Sequence, residues 1–303
     1  MQEELDELNR LFTSKNVDDV IKFYDHFDTA EQLIQWMKNR PSAPMKIYEV
    51  EGDKDIIIVI PTADHNGKFA KSCADEIFKG QKIIFVESSG KFFNFARSVN
   101  YGVKYALKYK PRWIILSNDD MYKIDNFKFL KNRLATVDYS VKFCSISELP
   151  EHCHCSELSI VEPKFYRDLI FKYTLGEYEK QYLKLRRKFS VNYLTFRPST
   201  EKHPILYKKR FSFLHLADFA VLRYDFVSKL FRQRDYIFNP YFINGEEDVY
   251  LSYELRNIKR AYIPFKIGSI MNGSLGTSKQ HKTRSFLNLV YLNELLKIGF
   301  NNP

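Results

Sequence analysis

The chain has 303 residues, with 47 Lys and Arg against 37 Asp and Glu, which gives a net charge of +10. This length is enough for one large domain or two, and the chain can bury a large hydrophobic core. The positive charge favours anionic partners such as phosphates, nucleic acids or acidic lipid surfaces without choosing among them. The four cysteines are too few and too clustered for a disulfide framework, which fits a reducing compartment.

The chain opens with MQEELDELNRLFTSKN, an acidic, amphipathic stretch that lacks the basic start and apolar core of a secretory signal. No uninterrupted apolar run approaches the roughly 20 residues needed to cross a bilayer. We therefore expect a cytoplasmic protein whose contact with a membrane is at most peripheral. Apolar residues recur at helical intervals from residue 1 to about residue 50, which predicts a helical N-terminal extension.

Three short apolar runs after this extension are typical of strands buried on both faces. They lie at residues 55–62, 82–86 and 113–116, and the first is rich in β-branched residues and closes with Pro61 and Thr62. A helical stretch at about residues 92–109 separates the second run from the third. This alternation of strand and helix predicts a parallel sheet with right-handed crossovers.

Two later apolar runs, at residues 141–147 and 219–223, predict further strands. Residues 165–189 between them form a long charged helical pattern, followed by Tyr-, Lys- and Arg-rich sequence. A structureless loop of this length is improbable in a compact domain, so we expect an inserted helical subdomain. The predicted division is a helical extension at 1–50, a first half at 51–147, a helical insertion at 148–210, and a second half at 211–303 with a C-terminal helix.

Polar and acidic residues follow two of the predicted strands. Asn118, Asp119 and Asp120 come directly after the third strand, and Glu87 follows the second, before a Ser-Ser-Gly sequence that contains Ser89. Ligands collect outside the carboxyl ends of strands in an open parallel sheet, where acidic residues can hold a cation against a phosphate. The alternative for Asn118 and Asp119 is a polar turn with local backbone hydrogen bonds.

The helix after the second strand carries a polar face. Asn94, Arg97 and Tyr101 are spaced as i, i+3 and i+7, so the Arg97 guanidinium could reach a phosphate or a nucleobase beside an amide. An ordinary solvated helix face would show the same residues, because exposed Arg and Asn are common.

A second acidic segment reads FNPYFINGEEDVYLSYEL. Asn244 and Gly245 are candidate caps for a helix whose first turn contains Glu246, Glu247 and Asp248. Acidic residues at a helix N-terminus are favourable by about 0.3–1 kcal/mol and need no other role. The same electric field keeps a carboxylate ionised at neutral pH, which a general base requires.

In this order, these segments resemble the family 2 glycosyltransferases of the GT-A fold. The resemblance rests on the VIPT strand end, the acid followed by small residues, the Asn/Arg/Asn-Tyr-Gly helix, the Asn-Asp-Asp segment and FNPYFINGEEDVYLSYEL, and it covers about residues 55–147 and 212–295. It implies an α/β fold with a Rossmann-like, mixed, mostly parallel sheet flanked by helices. The first half would bind a nucleotide sugar and the second half the acceptor.

The resemblance also implies roles for individual residues. Glu87 would contact the nucleobase or ribose, and Asn118, Asp119 and Asp120 match the Asp-x-Asp motif of the family. Asp120, with Asn118, would bind Mn²⁺ or Mg²⁺, and Asp248 in the Glu247-Asp248 pair would be the catalytic base. The implied nucleotide-sugar site contains Pro61, Thr62, Glu87, Ser89, Arg97, Asn118 and Asp119.

The implied reaction moves a sugar from a nucleoside-diphosphate sugar to an acceptor hydroxyl by single displacement with inversion. The donor would be a UDP-, GDP- or dTDP-sugar, and the acceptor a glycan, a lipid-linked molecule or a protein. The sequence departs from the family in two ways: Asn118 replaces the first Asp, and residues 264–274 lack the usual His. Lys279 or His281 could close over the diphosphate instead.

Other interpretations remain. A basic nucleic-acid-binding protein fits the net charge and the aromatic, Lys- and Arg-rich residues 182–211, although acids at strand ends repel a phosphate backbone. A nucleotide-sugar-binding protein without activity is a further alternative. A nucleotidyltransferase would need a Gly-rich phosphate loop, for which residues 61–67 are a poor match.

A cluster of soft metal ligands lies at the start of the predicted insertion. Cys144 is followed by His152, Cys153, His154 and Cys155, which together offer enough ligands for zinc but lack the usual two-residue spacer. A surface loop of reduced thiols is the alternative.

Overall fold

The computed structural model describes residues 2–146, 151–160, 184, 187–188, 193–198, 206–213, 216, 218–270 and 279–298. The chain divides into two compact units. Unit 1 consists of Met1–Arg40, His152–Phe211 and Leu275–Pro303, and unit 2 consists of Pro41–Glu151 and Ser212–Ser274.

The described residues form twelve strands and nine α-helices. The strands are β1 (Lys46–Val50), β2 (Asp53–Thr62), β3 (Gln81–Glu87), β4 (Trp113–Ser117), β5 (Met121–Lys123), β6 (Phe143–Ser145), β7 (Glu151–Ile160), β8 (Tyr193–Pro198), β9 (Leu206–Phe213), β10 (Phe219–Arg223), β11 (Arg260–Tyr262) and β12 (Ile267–Ser269). The helices are α1 (Gln2–Thr13), α2 (Val17–Asp25), α3 (Ala30–Asn39), α4 (Lys68–Ser72), α5 (Phe95–Ala106), α6 (Phe127–Ala135), α7 (Tyr224–Arg234), α8 (Glu247–Glu254) and α9 (Lys279–Ile298).

Unit 2 is built on a seven-stranded sheet in the order β1-β3-β2-β4-β10-β6-β11. Strands β2, β3 and β4 are parallel, β10 is antiparallel to β4 and β6, β11 is parallel to β6, and β1 is antiparallel to β3. Five strands therefore run in one direction, and β1 and β10 run against them. The predicted α/β class with a mixed, mostly parallel sheet is confirmed.

The central strand β2 is buried on both faces, as its sequence predicts. Ile56, Ile58 and Ile60 belong to one hydrophobic cluster, whereas Ile57 and Val59 belong to a second cluster together with residues of α5. Successive side chains of a strand point to opposite faces, so a continuous apolar run fills two cores at once.

Helix α5 packs closely on the sheet at Gly102. A Cβ atom on this residue would lie 2.5 Å from Cγ1 of Val59 and 2.6 Å from Cγ2 of Val86, closer than side chains tolerate. A glycine is therefore required where this helix crosses β2 and β3. The helix predicted at 92–109 corresponds to α5 and the 3₁₀ turn Leu107–Tyr109 that follows it.

Helices occupy much of the region from residue 1 to about residue 50, as the apolar periodicity predicts, but not all of it. Residues 2–39 form α1, α2 and α3 of unit 1, where the Tyr24 hydroxyl donates a hydrogen bond to the backbone carbonyl of Thr283 in α9 at 2.8 Å. Residues 46–50 are not helical. They form β1 at the edge of the sheet of unit 2, because backbone pairing with β3 determines the structure of this short segment.

The prediction of a helical insertion at 148–210 is wrong for much of the described sequence. Strands β7, β8 and β9 form a three-stranded sheet in the order β8-β7-β9. The alternation of His-Cys-His-Cys has the period of a strand, and this sequence lies within β7. Most of the helix predicted at 165–189 falls outside the described residues, of which 184, 187 and 188 are helical.

The proposed zinc ligands fall on separate strands. Cys144 lies on β6 of unit 2, where burial raises the pKa of its thiol to about 12. Residues 152–155 lie on β7, for which only the backbone is described. Among the helices that the structure describes, none combines the length and apolar composition that crossing a membrane requires.

Candidate functional site

The ends of β2, β3 and β4 meet through Thr62. The Thr62 hydroxyl donates a hydrogen bond to Oδ2 of Asp119 at 2.7 Å, and the Thr62 carbonyl accepts one from the backbone N–H of Ser88 at 2.9 Å. Parallel strands place their carboxyl ends on the same side of a sheet. That side therefore holds four of the predicted site residues: Pro61, Thr62, Glu87 and Asp119.

The two aspartates after β4 lie in partly or fully buried positions. Burial raises the pKa of Asp119, and the hydrogen bond from Thr62 opposes this effect. Asp120 is only 5% exposed, and its backbone carbonyl accepts a hydrogen bond from the N–H of Ile270 at 2.9 Å. The Cys73 thiol donates to the Asp119 carbonyl at 3.3 Å, and burial together with these two aspartates raises its pKa to about 12. The thiol is therefore protonated at neutral pH.

Asn118 links β4 to its neighbour β10. Its Nδ2 donates to Oδ1 of Asp218 at 2.9 Å, and its backbone N–H donates to the Asp218 carbonyl at 3.1 Å. The side-chain amide thus has a structural role at this strand junction. The predicted participation of Asn118 in metal binding stays a prediction.

The end of β3 carries a cluster that the sequence analysis missed. Oε2 of Glu87 lies 2.6 Å from Nδ1 of His65 and accepts a hydrogen bond from the His65 backbone N–H at 3.1 Å. These hydrogen bonds lower the pKa of Glu87. The imidazole stacks on the Tyr48 ring with a centroid separation of 3.4 Å. Glu87 is therefore held ionised beside two aromatic rings.

The ligand atoms of Asp64, His65 and Glu87 lie within 4.8 Å of one another, which is close enough for these groups to bind a cation together. The pairing of β1 with β3 places Tyr48 opposite Phe85, near this cluster. Only long-range strand pairing establishes this arrangement. The one sequence signal for it was the position of His65 shortly after the end of β2.

The polar face of α5 binds the loop that precedes α8. Asn100 donates from Nδ2 to the carbonyl of Phe238 at 2.6 Å and accepts at Oδ1 from the N–H of Ile237 at 2.9 Å. Nε of Arg97 donates to the carbonyl of Pro240 at 3.1 Å, and burial lowers the pKa of this guanidinium. These side chains hold backbone groups of the loop.

Two asparagines add hydrogen bonds between α5 and the loop before α8: Asn94 from the helix and Asn244 from the loop. Asn94 is the N-cap of α5, accepting from the N–H of Arg97 at 2.8 Å, and its Nδ2 donates to the Phe242 carbonyl at 2.7 Å. Oδ1 of Asn244 accepts from the N–H of Phe95 at 2.8 Å. The loop before α8 is thereby joined to the segment that follows β3. Contact of Arg97 with a nucleotide stays a prediction.

Helix α8 begins with an unusual backbone. Asn244 and Glu246 have positive φ values of 54° and 67°, and Glu246 occupies the N-cap position. The predicted caps, Asn244 and Gly245, are therefore wrong: the Asn244 side chain binds α5, and Gly245 donates its N–H to Oε2 of Glu247 at 2.7 Å. Left-handed backbone in residues other than glycine is costly and is typical of functional sites.

The two acids that open α8 differ in their surroundings. Glu247 is only 6% exposed, and burial, reinforced by the charge of Asp248, raises its pKa to about 7. Asp248 is partly exposed and therefore accessible to a substrate. The buried carboxyl group of Glu247 can position the loop, and the accessible carboxylate of Asp248 can accept a proton.

The remaining predicted site residues give less information. Ser89 is exposed, and so is Tyr101 on the outer part of α5. Lys279 and His281 lie in the first turn of α9, where the structure describes the backbone but not the side chains. Their predicted closure over a diphosphate stays a prediction.

Comparison of the sequence with models of known protein families gave no match, and no curated protein matched it significantly. The function must therefore be inferred from the geometry and chemistry of the site.

Proposed function

We propose that the chain is a glycosyltransferase of the GT-A type, similar to family 2, that transfers a sugar from a nucleoside-diphosphate sugar to an acceptor hydroxyl. The observation that carries this proposal is the meeting of three strand ends through Thr62, which contacts both Asp119 and Ser88. It gathers the acids of β3 and β4 at the edge where α/β sheets bind nucleotides. We further propose that the protein acts in the cytoplasm, with contact to a membrane limited to its surface.

The cluster at the end of β3 suits the nucleoside part of the donor. The ionised Glu87 carboxylate can accept hydrogen bonds from ribose hydroxyls or from the N–H groups of a base. The neighbouring rings of Tyr48 and His65 offer an aromatic surface. Arg97 is half-buried and stays a candidate for contact with the nucleotide.

The residues after β4 suit a divalent cation. Asp119 and Asp120 supply carboxylate oxygens, the ligand type preferred by Mg²⁺ and Mn²⁺, and their burial strengthens attraction to a cation. Asp119 and Asp120 would hold the metal, with Asn118 as a further candidate. When bound, such an ion stabilises the negative charge that develops on the departing diphosphate.

The acidic start of α8 suits the acceptor. Asp248 takes the proton of the acceptor hydroxyl while that oxygen bonds to the anomeric carbon and the bond from carbon to phosphate oxygen breaks. Attack opposite the leaving group inverts the anomeric carbon. Glu247 acts as a positioning residue, since its carboxylate holds the Gly245 N–H in the loop that is attached to α5.

The direct test is thermal stabilisation of the protein by UDP, GDP, dTDP and CDP, each with and without Mn²⁺. A ligand that binds the native state raises its melting temperature by mass action. We expect one nucleotide to stabilise the protein in a Mn²⁺-dependent manner, and Asp120→Asn to abolish the effect. Asp225→Asn is the control, because Asp225 lies at the start of α7, outside the proposed site, and pairs with Lys142.

Three results would count against the proposal. Absence of stabilisation by any nucleotide would overturn it, and stabilisation by single-stranded RNA or DNA instead would favour the nucleic-acid alternative. Nucleotide binding without release of nucleoside diphosphate from any donor sugar would indicate a binding protein that lacks activity.

A further inference from the structure

The two-stranded ribbon that follows Asp120 has an inner side and an outer side. Strands β5 and β12 pair antiparallel, and Tyr122 lies opposite Gly268 in the register. Met121 belongs to a buried hydrophobic cluster of unit 2, and Ile267 packs against that cluster. Because successive side chains of a strand point to opposite sides, Tyr122 lies on the outer side of the ribbon.

The ring of Tyr122 lies flat on Gly268. A Cβ atom on this glycine would lie 2.0 Å from Cζ of Tyr122, 2.4 Å from Cε1 and 2.5 Å from Cε2. A point directly above Cζ would be slightly farther from both Cε atoms, as these distances are, so the glycine meets the plane of the ring and not its edge. Gly268 is buried, whereas Tyr122 is 49% exposed. One ring face therefore covers the glycine backbone, and the opposite face is turned to solvent.

The outer face of the Tyr122 ring lies close to the proposed metal site. Aromatic cover of a cross-strand glycine stabilises a ribbon, which accounts for the inner face alone. The N–H of Ile270 donates to the Asp120 carbonyl at 2.9 Å and continues the pairing of the two strands by one residue. Asp120 precedes Tyr122 by two residues, so their Cα atoms are about 7 Å apart. Ile124 and Ile270 are also exposed, and exposed apolar side chains grouped beside polar groups are typical of a ligand-binding surface.

A pyranose sugar matches this surface. One face of a pyranose ring presents C–H groups, which pack on the negatively polarised face of an aromatic ring, while hydroxyl groups project from its edge toward polar partners. A flexible apolar chain would gain nothing from the flat orientation of Tyr122, because burial of apolar surface is not directional. The flat ring therefore favours a sugar over a lipid tail.

We propose that the outer face of Tyr122 stacks on a pyranose ring of the acceptor, and that the acceptor is a glycan. The inference rests on the proposed function, since it places this sugar beside Asp120, which would hold the metal and through it the donor diphosphate. Tyr122 binds and orients the acceptor and takes no part in proton transfer. Among glycan, lipid-linked and protein acceptors, the stacking surface selects the first.

The test uses an introduced tryptophan as a reporter. The native tryptophans, Trp36 and Trp113, are buried, so Tyr122→Trp adds an exposed indole at the proposed stacking position. The full chain is titrated with maltose, cellobiose and N,N′-diacetylchitobiose, each with and without UDP or GDP and Mn²⁺. We expect at least one disaccharide to shift the emission to shorter wavelength, and sorbitol, an open-chain polyol without a ring face, to leave it unchanged. Tyr139→Trp is the control, because Tyr139 is exposed before the amino end of β6, and its emission should not respond.

Gly268→Ala tests the geometry of the stack without changing the tyrosine. The added methyl group must displace the Tyr122 ring, which lies within 2.0–2.5 Å of its position. In calorimetric titration with the disaccharide that responds, Tyr122→Ala and Gly268→Ala should each weaken binding about tenfold. The double variant should lose no more than either single one, because both changes remove the same contact. Tyr122→Phe keeps the flat ring and should keep the affinity, as should Tyr139→Ala.

Three results would overturn the proposal: no response to any of the disaccharides, an equal response to sorbitol, or independent, additive losses in Tyr122→Ala and Gly268→Ala. Thermal stabilisation by nucleotides separates this failure from that of the proposed function. A wild-type protein that a nucleotide stabilises, but whose sugar binding does not depend on Tyr122, would retain the donor site and lose the stacking site. Sugar binding through Tyr122 without stabilisation by any nucleotide would leave the stacking site and refute the transferase.

Discussion

Lys82 and Glu247 are both buried ionisable residues of unit 2, but their surroundings are opposite. The Lys82 side chain is fully buried, and its Nζ lies 2.5 Å from a carboxylate oxygen of Glu49 and 2.5 Å from one of Glu51. Glu247 is also buried, but it forms no salt bridge with any described basic residue, and it lies beside the like charge of Asp248.

The difference appears in the titration of the two sites. Burial alone would raise the pKa of Glu49, but hydrogen bonds from Lys82, Tyr105 and Tyr109 lower it to about 2. For Glu247, burial and Asp248 raise the pKa to about 7. Charges with partners stay fixed across physiological pH and contribute to the structure, whereas an unpaired buried carboxyl group titrates within that range.

The largest effect is expected at the neighbour of Glu247. Asp248→Asn removes the proposed base and should lower release of nucleoside diphosphate from the donor sugar by about 10²–10⁴-fold. Nucleotide-dependent thermal stabilisation should persist, because the donor site is unchanged. Near-normal turnover in this variant, measured beside the Asp225→Asn control, would refute the assigned role.

Lys82→Met should cause the largest loss of stability. It removes the nearer cation of Glu49, since Lys108 stays 3.8 Å from the same carboxylate, and losing a hydrogen bond between charged groups costs about 1.5–3 kcal/mol. Urea unfolding measures the change. The matched control is Lys104→Met, because Lys104 and its partner Asp235 are 62% and 69% exposed, and we expect little change there. Equal losses in both variants would show that burial of the pair does not matter.

Glu247→Gln should raise the stability of the folded protein, whereas Lys82→Met lowers it. Above pH 7 the carboxyl group is ionised in both states and its burial destabilises the folded one, whereas below pH 4.5 it is protonated in both and this cost vanishes. The variant should therefore be more stable than the wild type by about 3 kcal/mol at pH 8, with the difference disappearing near pH 4.5.

Urea unfolding from pH 4.5 to pH 8 tests this prediction, with the exposed Glu31 changed to Gln as the control. A difference between the Glu247 variant and the wild type that does not depend on pH would mean that Glu247 does not titrate as the structure implies.

The smallest effect concerns the loop before α8, in which Gly245 donates its N–H to Glu247. Asn244→Ala and Asn244→Gly both remove the hydrogen bonds to Phe93 and Phe95, but only glycine adopts the positive φ without cost. The Ala variant should be less stable than the Gly variant by about 1 kcal/mol. Equal stabilities would show that the left-handed backbone relaxes once the side chain is removed.

The sequence predicted the centre of the sheet well. Strands β2, β3, β4 and β10 are short apolar runs, and burial on both faces imposes this pattern regardless of what surrounds them. The strands of the insertion were missed because they combine charged and polar residues, as in LYKKRFSF of β9. Helices α6 and α7 were also missed, since their charged residues weaken the apolar periodicity.

The candidate site was predictable where strand ends determine it. Thr62, Glu87 and Asp119 follow apolar runs in the sequence, and parallel strands bring their ends together. The stacking of His65 on Tyr48 was not predictable, because it depends on the pairing of β1 with β3. The polar face of α5 was recognised, but its contact with the loop 237–244 joins residues more than a hundred positions apart.

The division of the chain into units has a consequence for its synthesis. Unit 1 combines the first 40 residues with two segments that begin at His152 and Leu275, so its polypeptide is interrupted twice by unit 2. Tyr24 cannot donate to Thr283 until α9 has been translated. Helices α1 to α3 leave the ribosome before unit 2 and α9 do, so the sheet core of unit 2 can form before their packing against α9 is completed.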